Sequence, residues 1–335
     1  MLMSIGTDRG GADMHERVGF SVVRLTLVAY RLAIRLAGAV PPRLAYPALD
    51  RLADLVRLAL PGPRRAVERN MAQVLDRGRS GHAGVVANGR GRWHAWAVRG
   101  VFRHTLRNYY DTFRLPAMTD QEVRHTVVLH GLEHLHAALA LGHGAIIVSA
   151  HVSSMALATQ ALLLVLGTGG AVAVEAVEPP ELLDLLVRVR GSHGLRYCPL
   201  GPALFSELTA TLKRNELVCL LVDRDVGGTG VMLDFFGRPA RIPTGPALLA
   251  LRTGAPIIPA FVSRRPDGRF DGHIGAPVSL PSTGSRRADL TEISRLITGH
   301  LEYHIGRFPE QWTVLQDIWM WDGLADHAAT ASESG

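Results

Sequence analysis

Between Glu133 and Glu175 the chain carries no Asp, Glu, Lys or Arg. Such an uncharged run has two physical solutions: a hairpin through a bilayer, or a strand and helix sealed inside a domain, where a central strand loses its polar alternation. Gly142, Gly144, His151 and the neighbouring serines fall where a strand-turn-helix puts them, which favours the sealed core. The flanking pattern agrees. From His125 onward HTVVLHG, GAIIVSAH, GGAVAVEAV, LRYCPLG and LVCLLVDRD are short β-rich runs separated by Ala/Leu-rich helical stretches. That alternation predicts an α/β fold, a central mostly parallel sheet with helices on both faces, preceded by an α-helical N-terminal region.

Five stretches follow along the chain. Residues 1–15 are Gly-rich and polar, without the apolar centre of a signal peptide, and read as a disordered leader. Residues 16–60 read as an amphipathic helical region: over Glu16 to Gly38, Arg17, Arg24 and Arg31 recur every seven residues with Arg35 one turn further, and the other faces are apolar. Charge interrupts this segment too often for a membrane span, but it can lie in the interface or pack on the α/β domain. The α/β domain is expected over 61–322, with a Gly/Arg-rich flexible insertion near 77–92, and 323–335 as a disordered tail.

Composition narrows the function classes. An apolar fraction of 47% and a charged fraction of 20% exclude a disordered chain. The net charge of +6 suits an anionic partner such as a phospholipid surface or a phosphorylated co-substrate, although Lys213 as sole lysine among 36 basic residues also marks an arginine-biased composition. No basic run alternates with aromatic residues, so nucleic acid is not expected as a partner. Cys198 and Cys219 each lie in an apolar run and read as buried hydrophobes in a reducing compartment.

The chemistry concentrates where GAIIVSAH ends in His151. Ligands gather at strand C-termini in α/β sheets, and a histidine there can take a proton from an acceptor hydroxyl. A hydrogen-bonded core histidine fits the same position. Glu175 follows one expected strand, and Asp223 and Asp225 follow another, so a parallel sheet brings these carboxylates towards the same edge. Arg238 and Arg241 precede Pro243-Thr244-Gly245, where a helix is expected to start, a combination suited to phosphate. Other motifs fail on geometry. Gly167–Gly170 precedes a strand rather than following it, His134 and His136 are two apart, and the serines lack a nucleophile elbow. No metal site is expected.

At this point the sequence resembles the lysophospholipid acyltransferase superfamily, and within it the bacterial lipid A late acyltransferases and phosphatidylinositol mannoside acyltransferases. His151 matches the histidine of their His-x-x-x-x-Asp/Glu motif. Ordered matches include Gly131–Leu135, Arg190–Gly194, Asp223-Arg224-Asp225, Asp234–Gly237, Arg238–Pro246, Leu251–Pro259, and Pro309-Glu-Gln-Trp312 running on to Gln316. One departure stands out: the position of the motif carboxylate is Ala156. The resemblance implies an O-acyltransferase, peripheral on the cytoplasmic face of the plasma membrane. It would move an acyl group from acyl-CoA or acyl carrier protein, as co-substrate without a further cofactor, to a lipid hydroxyl. It implies His151 with Glu175, Asp223 or Asp225 as catalytic residues, and Arg190, Arg224, Arg238, Arg241 and Thr244 as substrate contacts. Ala156 sustains a second reading, a catalytically silent relative that binds lipid or a partner enzyme.

The arginine stripe carries its own expectation. The chain should float with anionic vesicles and float less as salt rises, because exposed charges are screened within about 8–10 Å at physiological ionic strength. Salt-independent flotation would contradict it.

Overall fold

A computed structural model of the chain describes residues 10–78, 90–175, 177 and 179–319, with the backbone alone for 10–24, 77, 78 and 90. Four long helices come first: α1 (Gly10–Ala39), α2 (Pro42–Ala59), α3 (Pro61–Gly78) and α4 (Arg90–Arg114). Pro42 and Pro61 open α2 and α3, where a helix has no use for the missing N–H. Helix α1 takes in residues 10–15 of the stretch read as a leader. Residues 1–9, 79–89 of the Gly/Arg-rich stretch, and the tail from 320 lie outside the described residues.

Alternation then sets in: α5 (Asp120–Thr126), β1 (Val127–His130), α6 (Leu132–Leu139), β2 (Ala145–Ser149), α7 (Met155–Leu166), β3 (Gly170–Val174), α8 (Pro180–Arg190), β4 (Leu195–Pro199), α9 (Leu204–Lys213) and β5 (Leu217–Leu221). All five runs expected from the sequence are strands. A hairpin of β6 (Val231–Phe235) and β7 (Arg238–Ile242) follows, then α10 (Gly245–Thr253), β8 (Ile257–Arg264), β9 (Phe270–Ile274) and α11 (Arg286–Arg307).

Seven strands form one sheet in the order β1-β9-β8-β2-β5-β3-β4. From β8 through β4 every pairing is parallel; β9 runs antiparallel to β8, and β1 lies parallel to β9 at the edge. Strand β2, wholly buried, is therefore central, which accounts for its uncharged sequence. Its side chains alternate between two cores. Ile146 and Val148 belong to the core that also takes in Leu208 and Leu212 of α9, Ala247 and Leu249 of α10, and Ile297 and Leu301 of α11. Ala145 and Ile147 face the other way, onto Leu135 of α6 and Leu162 and Leu163 of α7. The charge-free segment is thus strand, helix and strand of a covered sheet. No helix among the described residues is long and apolar enough to cross a membrane.

Gly144 fixes where β2 begins. Its φ is +67°, and a Cβ there would lie 2.5 Å from the Glu216 carbonyl oxygen, so both backbone and space require glycine.

A buried charge pair joins the N-terminal helices to the sheet. Arg264, at the end of β8, donates to Asp111 Oδ2 at 2.5 Å, to Asn108 Oδ1 at 3.0 Å and to the Tyr46 hydroxyl at 2.8 Å, and Tyr46 donates on to Asp111 Oδ1. The Arg264 and Asp111 side chains are 2% and 4% exposed. Charges that deep are tolerable only when paired and hydrogen-bonded, and stranding one costs about 3–5 kcal/mol. Arg264→Met is therefore expected to lower unfolding stability by about that amount in urea titrations. The double variant Arg264→Met/Asp111→Leu should recover much of the loss, because no lone buried charge remains. A double variant as unstable as the single would refute this.

Candidate active site

Strands β2 and β5 are parallel neighbours in a register that pairs Ala145 with Leu217 and Ser149 with Leu221. The ladder continues past the strand ends, where the Val222 N–H donates to the Ser149 carbonyl at 2.9 Å. Two residues beyond the last strand pair, the same register sets His151 opposite Asp223. The Asp223 carboxylate occupies the place of the next ladder acceptor: its Oδ2 accepts the His151 N–H at 3.0 Å, and its Oδ1 lies 2.8 Å from His151 Nδ1. An ionised carboxylate only accepts, so Nδ1 carries the proton and Nε2 keeps the basic lone pair.

A third donor comes from the far end of the chain. The indole Nε1–H of Trp312 reaches Asp223 Oδ2 at 2.7 Å. Trp312 follows a 3₁₀ turn, Pro309–Gln311, and its segment grips the histidine loop throughout. Val152 and Trp312 form an antiparallel bridge, the Gln311 carbonyl accepts from Ser153 N at 2.9 Å, and the Thr313 N–H and hydroxyl both donate to the His151 carbonyl. Ser153 is held at φ +48°, a left-handed conformation uncommon for a residue with a Cβ. Trp312 itself packs edge-on against Phe235 and Trp319, and Trp319 donates to the Phe235 carbonyl at 3.0 Å. Phe235 and Phe236 are core residues beneath the site.

The electrostatics follow from this enclosure. The Asp223 side chain is fully buried and that of His151 is 32% exposed. Burial pushes the Asp223 carboxyl up, but the His151 charge and the hydrogen bonds from His151 and Trp312 outweigh it, and the net shift is downward. The dyad therefore keeps its negative member ionised below the ordinary carboxylate range.

Among the three carboxylates expected near this edge, Asp223 is the one that hydrogen-bonds His151. Glu175 pairs instead with Arg224 Nη2 at 3.2 Å, and Asp225 Oδ2 accepts the Gly230 N–H at 2.8 Å, closing the turn into β6. Ala156, in the first turn of α7, packs on the apolar cluster of Leu115, Met118 and Val262. The motif carboxylate is missing from that helix, yet the imidazole has a carboxylate partner from the next strand. The premise of a silent homologue, an unpartnered histidine, is therefore absent.

The expected substrate contacts are dispersed. Arg190 ends α8, where its carbonyl accepts from Gln160 Nε2. Arg238 and Arg241 lie in β7 rather than in a loop, and the strand's alternation sets them on opposite faces, with Arg241 reaching the Gly230 carbonyl at 3.3 Å. Thr244 precedes α10 without capping it through its side chain. In the sequence Gln311, Trp312 and Thr313 stand out only as part of the matched run from Pro309 to Gln316. Nothing local distinguishes them, since their roles come from contact with residues 89 and 162 positions away.

Residues 19–320 match the sequence profile of bacterial lipid A biosynthesis acyltransferases. The chain is 33% identical over 221 residues to a phosphatidylinositol mannoside acyltransferase of Mycobacterium tuberculosis, covering 64% of this chain and 68% of that one. To the phosphatidylinositol mannoside acyltransferase of Mycolicibacterium smegmatis it is 30% identical over 228 residues, covering 67% and 73%. With a profile match running from α1 through the segment that holds the dyad, the chain belongs to the bacterial lipid A biosynthesis acyltransferase family.

Proposed function

We propose that this acyltransferase works at the cytoplasmic face of the membrane, as a peripheral protein. It transfers a fatty acyl group from a thioester, acyl-CoA or acyl carrier protein, to a hydroxyl of a phosphatidylinositol mannoside-type glycolipid. The observation that carries the catalytic part is the His151–Asp223 contact of 2.8 Å at the C-terminal edge of the two central strands. The names of the similar mycobacterial enzymes support the acceptor class.

The chemistry needs one proton carrier. His151 Nε2 takes the acceptor's hydroxyl proton while its oxygen bonds the thioester carbonyl carbon. The tetrahedral intermediate then collapses, the C–S bond breaks, and the departing thiolate takes the proton back from Nε2. Asp223 holds the Nδ1–H tautomer throughout and offsets the imidazolium charge, as the third member of a Ser-His-Asp triad does. Arg224, adjacent in the chain to Asp223, and Arg190, Arg238, Arg241 and Thr244 are the proposed contacts for phosphate groups of donor or acceptor.

In radiolabelled transfer assays with each donor and a phosphatidylinositol mannoside acceptor, His151→Ala is expected to lower kcat by about 10²–10⁴-fold. Asp223→Asn should cost on the order of 10⁴-fold, since the amide no longer fixes the tautomer. Undiminished transfer in His151→Ala would require a different base. Ala156→Asp should lower activity or leave it unchanged, because the dyad already has its carboxylate and the new charge enters an apolar cluster. A gain in rate would mean that Asp223 does not serve His151.

Trp312→Phe keeps an aromatic ring but removes one donor from Asp223, worth about 1.5–3 kcal/mol for a charged acceptor. The depressed Asp223 pKa contributes stability that is fully present above the ordinary value of about 3.9 and fades as pH falls through the lower folded value. Losing the indole donor raises that folded value. The acid unfolding midpoint should therefore move to higher pH. An unmoved midpoint would reduce Trp312 to packing.

A further inference from the structure

Helix α2 has two apolar faces: Ala45, Tyr46, Leu49, Ala53 and Val56 pack into the protein, and a second row points outward. Its two acids face the protein: Asp50 takes a bidentate pair from Arg107, and Asp54 takes pairs from Arg99 and Arg103, all three arginines on α4. Four of its five leucines face away. Leu44, Leu52, Leu55 and Leu58 are 49–64% exposed, and with Ala48 their spacing makes one continuous stripe on a helix. An ordinary surface helix has one apolar face, so this second one leaves a row of apolar side chains in water unless something covers it.

Three observations define the cover. The ion pairs fix α2 and α4 as antiparallel, Asp50 level with Arg103 and Arg107 and Asp54 with Arg99 and Arg103. That register carries Trp93 and Trp96, 54% and 48% exposed, to the end of α2 that holds Leu58 and Leu60. Indoles are the side chains that settle at a headgroup boundary. The charge beside the stripe has one sign: Arg43 and Arg51 of α2 are exposed, whereas both acids are turned inward and paired. Helix α1, which also packs on α4, repeats the arrangement with Leu25, Val28, Leu32 and Leu36 exposed beside Arg31 and Arg35. A second copy of the chain would bring arginine rims against each other, whereas an anionic lipid surface complements them.

We propose that the outward leucine stripe of α2, with Trp93 and Trp96, is the face that seats the protein in one leaflet of an anionic bilayer. This deepens the peripheral reading above and rests on it. It assigns the apolar, salt-resistant part of membrane binding to α2 and leaves the salt-sensitive part to the arginines.

The test uses the full chain and vesicles of equal parts phosphatidylcholine and phosphatidylglycerol. Wild-type flotation should fall as salt rises but level off at a salt-resistant remainder. Leu52→Ser/Leu55→Ser/Leu58→Ser should lower the partition coefficient by on the order of 100-fold with an unchanged melting transition, because exposed leucines contribute to lipid contact and not to folding. Vesicles with brominated acyl chains should quench tryptophan emission in wild type and much less in Trp93→Phe/Trp96→Phe. Equal flotation of wild type and triple variant overturns the proposal. So does a lipid-free wild-type dimer that the triple variant dissociates, which assigns the face to a second copy. A lowered melting transition in the triple variant also overturns it, since the stripe is then covered by the chain itself. Transfer to acceptor dispersed in detergent micelles is read separately and should match wild type. A failed docking face and a failed acyl-transfer reading therefore give different results.

Discussion

Asp223 is a full negative charge without solvent contact, and removing such a charge from water costs several kcal/mol unless its oxygens are satisfied. Its three donors come from two segments that meet it only in the folded state: the His151 backbone and ring, and the Trp312 indole. Meeting that requirement aligns β2 with β5 beyond their ends and fastens the C-terminal segment across the β2–α7 loop. The same contacts orient the imidazole. Stability and the candidate catalytic geometry therefore rest on one buried group.

The second buried charge is tied to the first through Gln311. Its side chain accepts from the Arg264 N–H at 2.7 Å and donates to the Arg264 carbonyl, while its own carbonyl holds Ser153. Arg264 in turn gathers Tyr46 from α2 and Asn108 and Asp111 from α4. A polar path thus runs from the N-terminal helices, through the end of β8, to the histidine loop. A rigid mounting of this kind fixes the sheet edge relative to the N-terminal helices.

The two-faced α2 belongs to the same logic. Three α4 arginines need acidic partners, and the acids of α2 supply them, while Ala45, Leu49, Ala53 and Val56 fill the inward face, so the remaining leucines stay outside. On the proposed reading a lipid surface covers them. The arrangement makes sense for an acyltransferase whose acceptor is proposed to be anchored in a leaflet.

Much of this was legible in the sequence. The charge-free run between Glu133 and Glu175 and the alternating β-rich segments determined a covered α/β sheet, because a strand buried on both faces leaves that mark on its own residues. The end of GAIIVSAH placed His151 at a ligand-binding edge, and the arginines at heptad spacing marked the first helical stretch as amphipathic. Register was not legible. Glu175, Asp223 and Asp225 were equivalent until the pairing of β2 with β5 set Asp223 opposite His151, 72 residues away. The outward turn of α2 was equally hidden, since Asp50 and Asp54 find their arginines 45–57 positions along the chain. Local periodicity tells a helix that it has two faces. Which face is covered depends on charges that only the tertiary structure brings together, because an ion pair between distant residues leaves no periodic trace in either segment.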